Sequence, residues 1–262
     1  TASAGYVIRS MVGGIDSFPL LAVPMFVLAG ILMAHGKISE KLFDVFVYFL
    51  GNKRAGIPCA VIITCLFYGA ISGSAPATVA AVGSMTIPLL IELGYEKDFS
   101  TAIVAVAGGL GVIIPPSIPF IMYAMATGES VSDLFLAGIV PGMMISALLI
   151  FYAYYYCRRH GEDREKIQAK MDQLKTKGFV NILKESIWAL LSPVIVLGCI
   201  YSGVASPTEA AVISVFYSLF VSLFIYKSIK VKQIWGIMVE AMKTYAPILF
   251  ILATSTAFSR VL

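Results

Sequence analysis

Two apolar runs of 15 residues, Ile57–Ile71 and Ala77–Ile91, flank the sequence Ser72-Gly73-Ser74-Ala75-Pro76, and neither is long enough to cross a bilayer alone. At ~1.5 Å rise per residue each reaches roughly 22 Å, against a hydrocarbon core of about 30 Å. Two half-length helices joined by Ser, Gly and Pro predict a re-entrant hairpin over residues 57–91. Irregular backbone at membrane depth is tolerated only where it is packed in protein or lines a cavity. The hairpin turn is therefore the first place to look for a bound ligand.

The rest of the chain supports a membrane setting. Hydrophobic residues make up 59% and charged residues 13%, which excludes an ordinary soluble domain. A β-barrel would alternate polar and apolar residues, and these runs do not. The fold class expected is all-α and integral to the membrane, a multi-span helical bundle with a re-entrant hairpin and a discontinuous helix. The net charge of +4 comes from Lys and Arg clustered between apolar runs, which is the distribution that orients helices in a bilayer and gives no reason to expect a nucleic-acid partner. Cys59, Cys65, Cys157 and Cys199 lie in or beside apolar runs without C-x-x-C spacing, so neither a disulfide framework nor a metal site is predicted. The chain begins at Thr1 and ends at Leu262 within an apolar segment, and the expectation is a fragment lacking both termini.

In chain order, residues 1–17 read as a connector or amphipathic arm, and Phe18–Ala34 as the first span, shaped by Pro19 and Pro24. Leu42, Val45, Phe46 and Phe49 recur at helical spacing among Lys37, Lys41, Lys53 and Arg54, predicting a helix that lies in the interface. After the hairpin, Phe99–Thr127 is long enough to span but is broken in its middle. There Gly108-Gly109-Leu110-Gly111 is followed by Pro115-Pro116-Ser117-Ile118-Pro119, which supplies flexible positions and removes backbone donors. Ser130 with Asp133 marks the start of a long span over 134–157. The stretch 158–184 holds eight Lys and Arg and reads as a basic surface helix. Trp188 marks the interface for the span Ile187–Tyr201, extended to Ala205, and Ser206-Pro207-Thr208-Glu209 fits a capping box that opens the span Ala210–Tyr226. Ile234–Lys243 reads as a further interfacial arm before the apolar segment Tyr245–Phe258.

If the 158–184 stretch is cytoplasmic and the hairpin enters and leaves on one side, only Arg9 and Arg260 of the 19 basic residues fall outside. The hairpin then opens toward the cytoplasm. Pairing Pro19 with Pro247 also sets Leu20-Leu21 against Ile248-Leu249 in segments running in opposite directions, the pattern of an inverted repeat. The organisation expected is a first repeat over 1–157, a cytoplasmic basic linker helix over 158–184, and the start of a second repeat over 185–262.

At Ser72, Gly73, Ser74 and Ala75 the turn offers hydroxyls, released carbonyls and the N-terminus of the second arm. Gly109, Gly111, Val112, Pro115, Pro116 and Ser117 offer the same chemistry in the broken helix. Hard oxygen ligands suit sodium, held here by Ser72, Ser74 and carbonyls, and helix N-termini suit a carboxylate. A Gly/Ser packing notch is the competing explanation. Thr78, Thr86 and Thr127 are further hydroxyls for such a cavity, although bonding to the own helix is the commoner fate of a membrane Thr. Glu209 is read as a helix cap before a proton-coupling acid, and Tyr152, Tyr154, Tyr155 and Tyr156 as an interfacial belt.

Several segments, in this order, resemble the large membrane subunit of the tripartite ATP-independent periplasmic (TRAP) transporters, the DctM-like family. They are Phe18-Pro19-Leu20-Leu21-Ala22-Val23-Pro24-Met25-Phe26, the turn Ile71-Ser72-Gly73-Ser74-Ala75, the run from Gly108 to Ile118, Ala137-Gly138-Ile139-Val140-Pro141-Gly142, and Pro207-Thr208-Glu209-Ala210-Ala211. The resemblance implies an elevator-type symporter in the bacterial inner membrane, driven by sodium as coupling ion and using no organic cofactor. It implies an organic-acid anion as substrate, of the dicarboxylate or sialic-acid kind. Two partners are implied: a small four-helix membrane subunit (DctQ-like) and a periplasmic substrate-binding protein (DctP-like). It also places the hairpin tip on residues 72–75 and the partner break on 109–117, with a second hairpin and second broken helix beyond Leu262. Ala75-Pro76-Ala77-Thr78 departs from the family by lacking the acid often found after the turn.

Three alternatives stay open on the residues alone. An ion or anion transporter that needs no binding protein fits the same breaks. An intramembrane serine enzyme would need a base near Ser72 or Ser74, and neither His35 nor His160 lies on a facing span. A scaffold subunit does not require unwound backbone at mid-membrane.

Overall fold

The computed structural model describes residues 3–176 and 178–261. Among them there is no strand. Twelve α-helices follow one another: α1 (Ala4–Ile15), α2 (Ala22–His35), α3 (Ile38–Leu50), α4 (Gly56–Ser72), α5 (Ala75–Glu92), α6 (Lys97–Gly108), α7 (Ile118–Thr127), α8 (Val131–His160), α9 (Arg164–Thr176), α10 (Phe179–Tyr201), α11 (Pro207–Phe220) and α12 (Val231–Val261). Six helical segments of the described residues are long and apolar enough to cross a membrane: Phe18–His35, Ala75–Glu92, Val131–His160, Asn181–Tyr201, Pro207–Ile225 and Val231–Val261. The expectation that both hairpin arms are too short is corrected for the second: helix formation runs past the apolar run at both ends, so α5 has 18 residues and reaches that length, while α4, with 17, does not.

Local chemistry explains where these elements begin and end. Pro19 opens a short 3-10 turn, Phe18–Leu21, that leads into α2. Ser130 accepts from the Asp133 N–H at the head of α8, whose last turn carries Arg158, Arg159 and His160, the charge sign that the helix dipole favours at that end. Ser206 and Glu209 complete the reciprocal capping box of α11. Gly203, at φ +72°, ends the chain's run after Tyr201, so the expected extension of that span to Ala205 is absent.

The packing divides around α2. On one side, Val23, Phe26 and Val27 join Ala210 and Ala211 of α11 and Ile237 and Ala241 of α12. The face of α11 turned inward is Ala211, Ser214 and Ser218, small residues at helical spacing that let helices approach closely in a lipid setting. On the other side, Met33 joins a cluster built on Leu42, Ile57, Ile62, Tyr68, Ile71, Leu90 and Leu110. The Tyr68 hydroxyl donates to the Gly30 carbonyl at 2.7 Å and so ties α4 to α2 inside the protein.

Two expectations about surface helices change with the packing. The stripe Leu42, Val45, Phe46 and Phe49 is not, as a whole, the face that α3 buries. The helix packs against α4 and α10, burying Ile38, Leu42, Phe43, Val45 and Val47, while Phe49 is 56% exposed. Two partners on different sides draw in more of its circumference than one apolar stripe shows. The arm expected over 234–243 is not separate from the apolar segment after it, because α12 continues unbroken through Lys243 and Pro247. A proline inside a helix removes one hydrogen bond, and membrane helices absorb that loss without ending. Part of the expected linker also belongs to neighbouring elements: α8 runs on to His160 and α10 starts at Phe179, while Lys177 lies outside the described residues.

Helices α4 and α5 are antiparallel and connected only by Gly73 and Ser74. Their far ends meet at one carboxylate, for Glu162 Oε1 accepts from the Ala55 N–H at 3.0 Å and from the Tyr95 hydroxyl at 2.6 Å. The pair therefore starts and finishes at the same end of the protein, beside the head of the basic stretch that follows α8.

Candidate functional site

The turn of the hairpin is built by one residue that L side chains disfavour and one extended residue. Gly73 has φ +62° and ends α4; Ser74 is extended and precedes α5. A Cβ on Gly73 would also sit 2.9 Å from the Pro116 carbonyl oxygen, so glycine is required there twice over. Ser72, Gly73 and Thr78 are buried, and Ser74 and Ala75 half-buried. The Thr78 hydroxyl donates to the Ser74 carbonyl at 2.8 Å, and Ser72 Oγ lies 3.0 Å from Thr78 Oγ1. These hydroxyls brace the turn from inside.

The break between α6 and α7 lies directly against that turn. Residues Gly109–Val112 form a 3-10 turn, Pro115-Pro116 is a cis peptide, and Ser117 bridges the gap. The Ser117 hydroxyl donates to the Val112 carbonyl at 2.6 Å and accepts from the Phe120 N–H at 3.4 Å, capping α7. The Ile118 N–H donates to the Gly73 carbonyl at 3.3 Å. Gly111 is held so closely that a Cβ there would meet Thr78 Oγ1 at 2.4 Å and the Ser74 carbonyl oxygen at 3.0 Å. A Cβ on Gly69 would meet the Gly111 Cα at 2.5 Å. Gly109 is different, with nothing within 4 Å of such an atom.

Of the residues singled out from sequence, Ser72, Gly73, Ser74, Gly111, Pro116 and Ser117 are brought together, with Ala75 and Val112 at the edges and Pro115 buried beside them. Thr78 belongs with them. Thr86 and Thr127 do not: each donates to the carbonyl four residues back, Val82 and Tyr123, as Thr78 does to Ser74, but of the three only Thr78 also meets Ser72 Oγ and Gly111. Gly30 was not foreseen; a Cβ there would lie 2.9 Å from the Ser72 Cβ, so α2 closes the third side of the turn. The only signal for it is a glycine inside an otherwise bulky apolar helix.

The chemistry of this place is that of helix ends. Helices α4 and α6 finish here, and the last carbonyls of a helix lack intrahelical partners, while α5 and α7 begin here with their first N–H groups. Partial negative charge from two C-termini suits a cation, and partial positive charge from two N-termini suits an anion. A crevice of about 440 Å³ runs along the outer face of α5 beside Ile31, Tyr68, Pro76, Ala77 and Ala80 and reaches Glu240 of α12. It touches the beginning of α5 and not the buried hydroxyls. Among the described residues no group of three His, Cys, Asp or Glu side chains is arranged to hold a metal ion.

Comparison with known proteins gives concordant matches. The sequence model described as "Tripartite ATP-independent periplasmic transporter, DctM component" matches residues 3–262. An isethionate TRAP transporter permease protein, DctMQ, of Oleidesulfovibrio alaskensis is 42% identical over 257 residues, covering 98% of this chain and 40% of that protein. A C4-dicarboxylate TRAP transporter large permease protein, DctM, of Pseudomonas aeruginosa is 38% identical over 247 residues, covering 94% and 56%. A sialic acid TRAP transporter permease protein, SiaT, of Haemophilus influenzae is 34% identical over 250 residues, covering 95% and 40%. The chain spans about half the length of the curated relatives it matches.

Proposed function

This chain belongs to the DctM component family of the tripartite ATP-independent periplasmic transporters, and on that premise we propose that it builds the hairpin and broken-helix part of a sodium-coupled carrier for small organic-acid anions. It is a multi-pass protein of the bacterial inner membrane, and its relatives are named as transporter permeases, not as enzymes. The observation that carries the reading is the meeting of Ser72–Thr78 with Gly109–Ser117, where two helix C-termini and two N-termini converge around buried oxygens. Sodium is held at the carbonyls released by the two breaks, with Ser72 and Ser74 as the hydroxyl ligands, and the anion faces the heads of α5 and α7.

The substrate class follows the chemistry that the names of the three relatives above share. Isethionate, C4-dicarboxylates and sialic acid are all small, oxygen-rich anions. A helix N-terminus recognises such a charge without demanding one scaffold, which leaves the choice among anions to other surfaces. The reading includes a small four-helix membrane subunit and a periplasmic binding protein that delivers the anion. Reconstituted uptake of isethionate, succinate and sialic acid by the full-length subunits, with and without an inward sodium gradient, tests it. Accumulation of at least one anion only with the gradient and the binding protein is expected. Uptake indifferent to sodium refutes the coupling, and uptake indifferent to the binding protein favours a carrier that works without one.

A further inference from the structure

The basic stretch after α8 does more than link two spans. Glu162 lies in it, yet its side chain is only 2% exposed. One oxygen accepts from the Ala55 N–H, at the head of the first hairpin arm, and from the Tyr95 hydroxyl, just past the end of the second. The other faces the Arg164 guanidinium at 3.3 Å, and Arg164 also donates to the Asn52 carbonyl at 3.3 Å. Helix α9 then settles over the same turn, where a Cβ on Gly51 would meet the Met171 sulfur at 2.3 Å. A carboxylate on the N-terminus of α4 is favoured by the helix dipole as well as by its hydrogen bonds.

We propose that Glu162 is a positioning residue that fastens both ends of the hairpin to the head of the linker, so that hairpin, broken helix and linker head travel as one body during transport. The proposal rests on the carrier reading above. A carrier that moves its site across the bilayer must keep the hairpin tip registered on its partner break while the surroundings shift. The tip is held by Gly73, Thr78 and Gly111; the mouth, about a helix length away, is held by Glu162. Without the second fastening the two arms are free to splay at the mouth while the tip stays packed.

The test is hydrogen exchange by mass spectrometry on the full-length protein with its partner subunit in nanodiscs, combined with uptake. Glu162→Ala is expected to speed exchange in residues 50–57 and 93–98 by about tenfold or more, with residues 70–78 unchanged. In uptake it is expected to lower the maximal rate about fivefold or more while the half-saturating substrate concentration stays within about twofold. Glu162→Gln, which keeps an acceptor for Ala55 and Tyr95, is expected to restore at least about half of both effects. Unchanged exchange at the mouth, equal loosening of mouth and tip, or a shift in half-saturation at unchanged rate overturns the proposal. If Glu162→Ala does not fold, Tyr95→Phe removes the hydroxyl alone, and faster exchange in residues 93–98 is expected; no change there also overturns it. Sodium-independent uptake by the wild-type protein defeats the coupling reading and leaves the exchange result to decide the fastening.

Discussion

Gly111 faces Thr78 across the gap between the broken helix and the hairpin with room for a hydrogen atom and nothing larger. A methyl group there would meet Thr78 Oγ1 at 2.4 Å and the Ser74 carbonyl at 3.0 Å, and both are part of the turn's own hydrogen bonding. Gly111→Ala must therefore push the break off the hairpin tip. A loss of about 1–3 kcal/mol in stability is expected, as for other overpacked sites, together with loss of uptake. Gly109→Ala, two residues earlier and facing open space at an ordinary helical φ of −60°, is the control. It is expected to retain its stability in thermal unfolding, and equal destabilisation by the two substitutions refutes the contact.

The second prediction concerns the hydroxyls. Ser72 Oγ is 3.0 Å from Thr78 Oγ1 and both are fully buried. Ser72→Ala combined with Ser74→Ala removes the hydroxyls proposed for the ion while leaving Thr78 its bond to the Ser74 carbonyl. The sodium concentration for half-maximal uptake is expected to rise about tenfold or more, since tenfold is roughly what the loss of even one of the two oxygen ligands to a charge costs. Assembly with the partner subunit is expected to persist. An unchanged sodium dependence removes these hydroxyls from the ion site.

How much of this was legible beforehand follows from where each signal resides. The turn at 72–75 and the break at 108–119 are visible in sequence because Gly, Ser and Pro interrupt apolar runs, and backbone chemistry is local. That the two lie against each other is not local; it depends on Gly69, Gly111 and Gly73 meeting specific atoms, and only the fold supplies those atoms. Thr78 looked like Thr86 and Thr127, and what separates them is orientation one turn into a helix. Glu162 was invisible for a different reason. One of four acids interspersed with eight basic residues reads as solvated, whereas the fold turns Glu162 inward beneath the hairpin. The continuity of α12 was hidden by Lys243, a charge that marks a surface and not a break.

A third prediction follows from a buried oxygen with no partner. Ser214 Oγ lies on the inward face of α11 and makes no hydrogen bond among the described residues. Removing an unsatisfied buried hydroxyl is neutral or favourable, because its desolvation is not offset by a bond. Ser214→Ala is expected to leave the unfolding midpoint in detergent unchanged or slightly higher. Ser214→Leu, at an interface of small residues, is expected to lower stability by about 1–3 kcal/mol. A clear loss with Ser214→Ala reveals a partner for the hydroxyl.

The fourth prediction is a pH dependence. Burial raises the Tyr95 phenol above the ordinary tyrosine range, and its hydrogen bond to Glu162 and the nearby negative charge raise it further, with Arg164 opposing. A raised acid pKa means the neutral form is the stabilised one. Its contribution is complete below the unfolded value of about 10 and is lost only as pH climbs toward the folded one. Tyrosinate absorbance of the wild-type protein minus that of Tyr95→Phe is therefore expected to show no signal near pH 10 in the folded state, and to show one near pH 10 in denaturant. A folded-state difference with a midpoint near 10 places Tyr95 in water.

The last prediction fixes the direction of the chain. Helix α8 runs 30 residues without interruption, about 45 Å at the usual rise, and the hydrocarbon core is about 30 Å thick. Val131 at its head and Lys170, ten residues past its basic end in the middle of α9, therefore lie on opposite sides of any bilayer it crosses. Lys170 sits on α9, next to the mouth of the hairpin, so its side is also the side on which the hairpin opens. In a background lacking Cys59, Cys65, Cys157 and Cys199, Val131→Cys is expected to react with an impermeant maleimide added to intact cells. Lys170→Cys is expected to react only after the cells are opened, as the clustering of Lys and Arg at that end requires. Labelling of both from the same side refutes the crossing, and reversed labelling turns the hairpin toward the periplasm.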